Sequence, residues 1–332
     1  MECLTADYSD ITDVLIQCSR LALSRRIFSS IRFIRDIRGC PILSFLSREI
    51  WYENEMRHIP AASLLRSLSI SAAIMFTSVF AVLGAPDEDA REPVIRIVSR
   101  VQQADYEGDR VALKRRYDEL EQFVTNKTLA PRVRYWRGFA MWRRAINGFN
   151  DAVDSKELEQ DLQLALDEFD KVTATEPGFG DAKIAMVSCI SLLGYIHQKD
   201  TARLKELFAQ LAPVAKEAKD VAADNPRLLW VFGPNIFITP PERGGGQDKA
   251  IAMYEKGLEL SRKSKASGDR LEPSWGEPEL LMSLAYSNLN KAMPDVNAAE
   301  LQARSALEIV PYWHYVRDIL LPQILAAKAK AK

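Results

Sequence analysis

The sequence predicts an all-α protein, and three observations carry that expectation. Ala, Leu, Glu, Lys and Arg, all good helix formers, fill long stretches, while glycine (15) and proline (16) are few among 332 residues. From about Asp87 onward, apolar residues return at three- and four-residue spacing, the period of a helix. Short turn clusters such as "EGD", "TEPGFGD", "HQKD", "DNPR" and "MPDVN" punctuate that pattern. No run alternates long enough to predict a strand; "WVFGPNIFI" comes nearest, and its prolines make it a connector or a short helix.

Residues 1–55 precede anything that looks helical by period. They hold seven Arg, no Lys and three of the four cysteines, Cys3, Cys18 and Cys40. They read as a spurious or disordered extension, with Met56 as the initiator; the alternative is a cytoplasmic segment before an anchor. Residues 56–85 have the layout of a secretory leader: Arg57 and Arg66, an uncharged run 67–83, then "VLGA" before "PDEDA". Cleavage is expected near Ala85, giving a periplasmic or secreted bacterial protein. The alternative is a membrane anchor through 67–83, since about 17 residues is the lower limit for a span. Without residues 1–85 the chain keeps Cys189 alone and needs no disulfide.

Residues 86–332 form the helical domain. The expected helices are 88–105, 109–126, 132–150, 156–174, 180–197, 200–223, 226–236, 247–265, 277–291, 296–309 and 312–329. Pro213 should kink or split the sixth. One spacing recurs within them: a small residue, four on an aromatic or small residue, three on a small residue, five on a proline. Ala165, Phe169, Val172 and Pro177 follow it, as do Val214, Ala218, Val221 and Pro226, and Ala299, Ala303, Ala306 and Pro311. Ala250, Tyr254 and Gly257 follow it without the proline.

This spacing resembles the second helix of the tetratricopeptide repeat (TPR) family. Small residues on one stripe let helices approach, the aromatic fills the gap, and proline ends the helix. First helices match loosely, through Trp136 and Phe139 or "LLGY", and the connection 262–276 breaks a strict period. The resemblance implies a right-handed α-solenoid of about five stacked helix pairs. The order of "NPR", "TP", paired glycines and "WG" is similar to secreted bacterial TPR-like proteins. These are of the general kind of the periplasmic TPR subunit that accompanies some tripartite substrate transporters.

Gly244–Gly246 pose a choice between a phosphate cradle and a turn. Neither the P-loop nor the dinucleotide spacing is present, and the glycines run straight into the Ala250 stripe, so a turn is expected. A helix N-terminus leaves a minor anion role open. The net charge of -1 argues against nucleic acid, whose phosphates demand a surplus of Lys and Arg. Three separated histidines and no paired cysteines give no metal or cofactor spacing, and no carboxylate pair stands out, so no enzyme is expected.

Two surfaces are candidates for a protein or peptide partner. Arg134, Arg137 and Arg144 share a helical stripe beside Trp142 and suit an acidic ligand; the alternative is pairing with Asp118, Glu119 and Glu121. Trp230, Asn235 and Trp275 flank the glycine turn and suit a concave pocket; the alternative is that the tryptophans fill gaps between unequal repeats. The expected function is an exported scaffold for protein or peptide binding in the cell envelope. A small-ligand-binding component of a transport system is the alternative, and an α-helical enzyme is weaker still.

Overall fold

The computed structural model describes residues 86–264 and 267–330. The expectations for the 1–55 extension and the 56–85 leader lie outside the described residues. Among the described residues eleven α-helices follow one another, and there is no strand. They are α1 (Pro86–Glu107), α2 (Arg110–Leu120), α3 (Ala130–Asn150), α4 (Ser155–Thr175), α5 (Gly180–Ile196) and α6 (Thr201–Ala222). Then come α7 (Pro226–Ile238), α8 (Gln247–Lys263), α9 (Glu277–Asn290), α10 (Val296–Ile309) and α11 (Leu321–Lys330). The all-α fold holds, and consecutive helices pack in pairs as a solenoid requires.

Local chemistry starts several helices. Asp109, Asp154, Asp200, Asn225 and Asp295 each accept a backbone N–H of the first turn of the following helix. Three ends differ from the periodic reading. The helix expected at 109–126 stops at Leu120 and tightens into a 3-10 turn, Glu121–Phe123. The one expected at 312–329 begins as a π-helical stretch, Tyr315–Leu320. Pro213 does not split α6, because it sits on the exposed side, where the carbonyl it strands at Ala209 faces solvent.

Close packing follows the small-residue stripes. Ala165, Phe169 and Val172 are fully buried, as are Ala299, Ala303 and Ala306, and Ala250, Tyr254 and Gly257 line α8's buried face. In α6 the stripe is displaced: Val221 is 45% exposed, and the buried set is Leu204, Leu207, Leu211, Ala215, Ala218 and Ala222. A spacing of small residues alone leaves two registers open, and the leucines decide between them.

In two of the pairs, α3–α4 and α7–α8, the aromatic of the second helix enters its partner at a glycine. A Cβ on Gly138 of α3 would stand 2.7 Å from the Phe169 ring of α4, and one on Gly233 of α7 would stand 2.1 Å from Tyr254 of α8. Both aromatics therefore use the space that a side chain would fill. The first helices of successive pairs (α1, α3, α5, α7) also meet one another, forming an inner wall. Its centre is aromatic: Trp136, Phe139 and Trp142 of α3 are buried with Phe169, Trp230 and Trp275 around them.

Candidate functional site

The arginine stripe of α3 is spent inside the protein. Arg137 is 3% exposed; its Nε donates to Glu168 Oε1 at 3.1 Å and its Nη1 to the Tyr117 carbonyl at 2.7 Å. It also pairs with Glu121 and lies 3.9 Å from the centre of the Tyr117 ring. Arg134 donates to Glu168 Oε2 at 3.0 Å. Arg144 donates to Glu157 Oε1 and Asp161 Oδ2, each at 2.6 Å, and exchanges Nε-to-carbonyl bonds with Arg110. Of the partners expected in the preceding helix, only Glu121 serves these arginines. Asp118 takes Lys114 and Glu119 takes Arg116. The carboxylates come instead from α4, which packs along the same face of α3.

The tryptophans form one cluster. Trp142 is fully buried and gives its Nε1–H to Ser188 Oγ at 3.1 Å. Trp230, half-buried, meets Trp142 and Trp275 edge-on at 6.0 and 5.4 Å. Trp275 gives its Nε1–H to Tyr135 Oη at 2.9 Å. Asn235 stands apart from this cluster in its recorded bonds: its carbonyl accepts from the Thr239 amide and hydroxyl as α7 ends.

The three glycines make a closed turn. Their amides donate to Pro241, Pro240 and Ile236 carbonyls in order, so none of them faces outward for an anion. Gly244 and Gly246 have φ of +81° and +118°, and a Cβ on Gly245 would strike Thr239 at 2.3 Å. Each glycine has its own structural reason.

Two features escaped the sequence reading. The first is a buried charge cluster joining α1, α3 and α9. Arg143, 3% exposed, holds Asp105 at 2.7 Å and approaches Glu279 at 3.7 Å. Tyr106 donates to Glu279 Oε1 at 2.9 Å, the Gly276 amide donates to Oε2, and Asn147 donates to Asp105. Burial pushes the carboxyls of Asp105 and Glu279 above their ordinary values, and Arg143 opposes this only in part. One cation stands between two acids, so the second negative charge has no partner of its own. Arg143 Nη1 finds no acceptor, and its Nε meets Asp105 as a close charge contact without the alignment of a hydrogen bond.

The second is the segment 267–276, which lacks helix and lies on the inner wall. Leu271 is fully buried and Trp275 is 4% exposed. Trp136 Nε1 donates to the Leu271 carbonyl at 2.7 Å, and Arg227 Nη1 to the Trp275 carbonyl at 2.9 Å. Arg91 reaches Asp269 at 2.5 Å and Arg132 reaches Glu272 at 2.6 Å. Every one of these contacts is remote in sequence. The available signal was a Leu and a Trp inside a connection too long for a plain turn. Elsewhere the surface of the described residues has two open depressions of about 440 Å³ each. One is edged by Glu255, Glu259, Arg262 and Lys263, the other by Asp181, Asp220 and Asp224. Among the described residues no cluster of His, Cys, Asp and Glu could hold a metal ion, and no helix is long and apolar enough to cross a membrane.

No family model matches the chain, and no curated protein matches it. Among solved structures it is similar to the HusA haemophore from Porphyromonas gingivalis. The identity is 15% and the TM-score 0.50, covering 65% of this chain and 99% of that one. A thermophilic TPR protein from Thermus thermophilus is 19% identical with a TM-score of 0.47, covering 71% of this chain and 99% of that one. At such identities the likeness concerns the fold: this chain is a stack of paired helices, comparable in architecture to the haemophore.

Proposed function

We propose that the chain is an exported, non-enzymatic, TPR-like scaffold that binds a protein or peptide partner in the cell envelope. One observation carries the reading. The inner wall already holds a non-helical segment, residues 267–276, through side-chain donors aimed at its backbone carbonyls and buried seats for its apolar side chains. A partner peptide would be held by the same two means, main-chain bonds for hold and pockets for selectivity. In this reading Arg134, Arg137 and Arg144 fix α3 to α4, and the partner contact lies on the Trp230–Trp275 side of the wall.

The test is cross-linking of the tagged full chain in intact cells of the source bacterium, followed by mass-spectrometric mapping. The reading expects a reproducible envelope protein joined to residues of the inner wall. Cross-links confined to cytoplasmic proteins, or none above an untagged control, would overturn it. Export has its own check, since N-terminal sequencing of native protein should begin just after Ala85. A chain starting at Met1 would remove the leader from the reading.

A further inference from the structure

We infer that Glu279 is a proton-binding site: in the folded chain it keeps its proton through the mildly acidic range, so that pH tunes the junction of α9 with α1 and α3. The inference goes beyond the scaffold reading and does not depend on it. It starts from a count of buried charges. Asp105 of α1, Arg143 of α3 and Glu279 of α9 are 2%, 3% and 0% exposed, so two carboxyls share one guanidinium out of reach of water. Arg227 of α7 also acts on Glu279, but both carboxylate oxygens of Asp181 of α5 already hold it. Burial keeps the phenols of Tyr106 and Tyr135 neutral. His314, beside Gly108 at the end of α1, is engaged by Asp318. Three carboxyls therefore meet two guanidinium groups, and one negative charge is left over. A lone ionised acid in the interior is costly, and such a group takes up a proton instead.

Geometry decides which acid keeps it. Asp105 Oδ2 lies 2.7 Å from Arg143 Nε, and Asn147 donates to Oδ1 at 3.2 Å, so the Asp105 charge is compensated. Glu279 Oε1 is 3.7 Å from Arg143 Nη2, beyond hydrogen-bond reach. Its own bonds come from neutral groups, the Tyr106 hydroxyl and the Gly276 amide. A tyrosine hydroxyl can accept as well as donate, so the Tyr106 contact serves the protonated acid too. Burial pushes the Glu279 carboxyl up, Arg143 opposes the rise, and the charge of Asp105 adds to it. The site matters for the stack because Tyr106 also packs edge-on against Trp313 at 5.1 Å, where the first helix meets the C-terminal helices. As pH rises, a second negative charge enters this contact and weakens it; lowering the pH removes that charge.

The test is infrared difference spectroscopy of the full chain at about pH 6, where an ordinary glutamate is almost wholly ionised. Wild type minus Glu279→Gln should show the carbonyl stretch of a protonated carboxyl, and that band should fade as the pH is raised with the fold intact. Wild type minus Asp105→Asn should show the same band, because Arg143 then belongs to Glu279 alone and ionises it. A carboxyl kept neutral by burial alone would keep its proton in that variant. Both substitutions preserve shape, and circular dichroism checks that each variant has native helical content. Denaturant melts give a second measure. Upward from the ordinary value of 4.5, folded wild type holds one proton more than the unfolded chain, whereas folded Asp105→Asn does not. The unfolding constant of wild type relative to Asp105→Asn should therefore rise up to tenfold per pH unit until Glu279 ionises. Either variant decides by its own arm. No difference band with Glu279→Gln, a Glu279 band that survives in Asp105→Asn, or parallel pH dependences in the melts would each overturn the inference.

Discussion

The pairs α3–α4 and α9–α10 bring two helices together by opposite means. In α3–α4 a large aromatic, Phe169, is admitted by a missing side chain at Gly138, and the seam is tied by Arg134, Arg137 and Arg144 to Glu168, Asp161 and Glu157. In α9–α10 the contact is a row of alanines, Ala299, Ala303 and Ala306, fully buried against a cluster containing Leu281 and Ala285. The first seam is defined by shape and charge, so it admits one register. The second is defined mainly by size, with one polar contact between Asn288 and Gln302 across it. The wall that carries residues 267–276 is built on the first kind, where the position of each side chain has to be fixed.

The largest expected effect comes from the charge cluster behind that wall. Asp105→Asn/Glu279→Gln together should cost about 3–5 kcal/mol, because Arg143 would be buried without a counter-charge. Either single change should cost far less, since one carboxylate suffices for one guanidinium. The pH dependence runs opposite to that of an ordinary ion pair. Asp105 and Glu279 both have carboxyls raised by burial, so their contribution is complete below the unfolded values near 3.8 and 4.5 and is lost as pH rises through the folded ones. Thermal melts of Asp105→Asn against wild type should therefore move in favour of the variant as pH rises above the ordinary carboxylate range. A double variant no worse than the sum of the singles would mean that the three groups do not share charge.

The next effect is on the alanine seam. Ala303→Trp should destabilise by about 3 kcal/mol or more, because an indole cannot fit where two helices meet through a methyl group. An unchanged melting temperature would show that α10 can move away from α9, and that the stripe is no constraint.

Much of this was legible in the sequence because periodicity and small-residue stripes are local signals. The α10 stripe and the Phe169 stripe were readable residue by residue. The α6 stripe differs at its ends: Val214, Ala218 and Val221 fit the four-then-three spacing, whereas the buried Ala215, Ala218 and Ala222 run three then four and share only Ala218 with it. What remained hidden joins residues far apart in the chain. Arg143 looked like its neighbours Arg134 and Arg144, and no local pattern says that Asp105 and Glu279 come to meet it. The tryptophans were visible as a group, but that Trp275 arrives on a non-helical segment depends on the path of the connection.

A smaller effect tests the shape-defined seam. Gly138→Ala should destabilise by about 1–2 kcal/mol, because the added methyl lies 2.7 Å from the Phe169 ring, itself fixed by Tyr135 and Trp142. The sign is the informative part. In a helix interior without a close neighbour, replacing glycine by alanine stabilises by up to about 1 kcal/mol. A rise in the melting temperature would mean that Phe169 yields and that the glycine is not required for close approach.

The smallest effect sits at the far end of the stack. Lys328 of α11 donates to Glu300 of α10 at 2.7 Å, and Glu300 also takes Arg304 of its own helix. Glu300 is partly covered, but its cations Lys328 and Arg304 are 35% and 55% exposed, so the gain of each ion pair is offset by the entropy of holding long side chains and is screened by salt. Lys328→Gln should leave the melting temperature unchanged within error at physiological ionic strength, even though the bond looks as short as those of Arg144. The contrast with Arg144→Gln is the useful measurement. Arg144 reaches Asp161, whose carboxyl is largely buried and would be left with Arg110 alone. A clear loss in Arg144→Gln beside none in Lys328→Gln would show that burial, rather than distance, decides which ion pairs hold this stack together. Equal losses would mean that α11 is anchored by charge, and the size-defined seam would then extend no farther than α10.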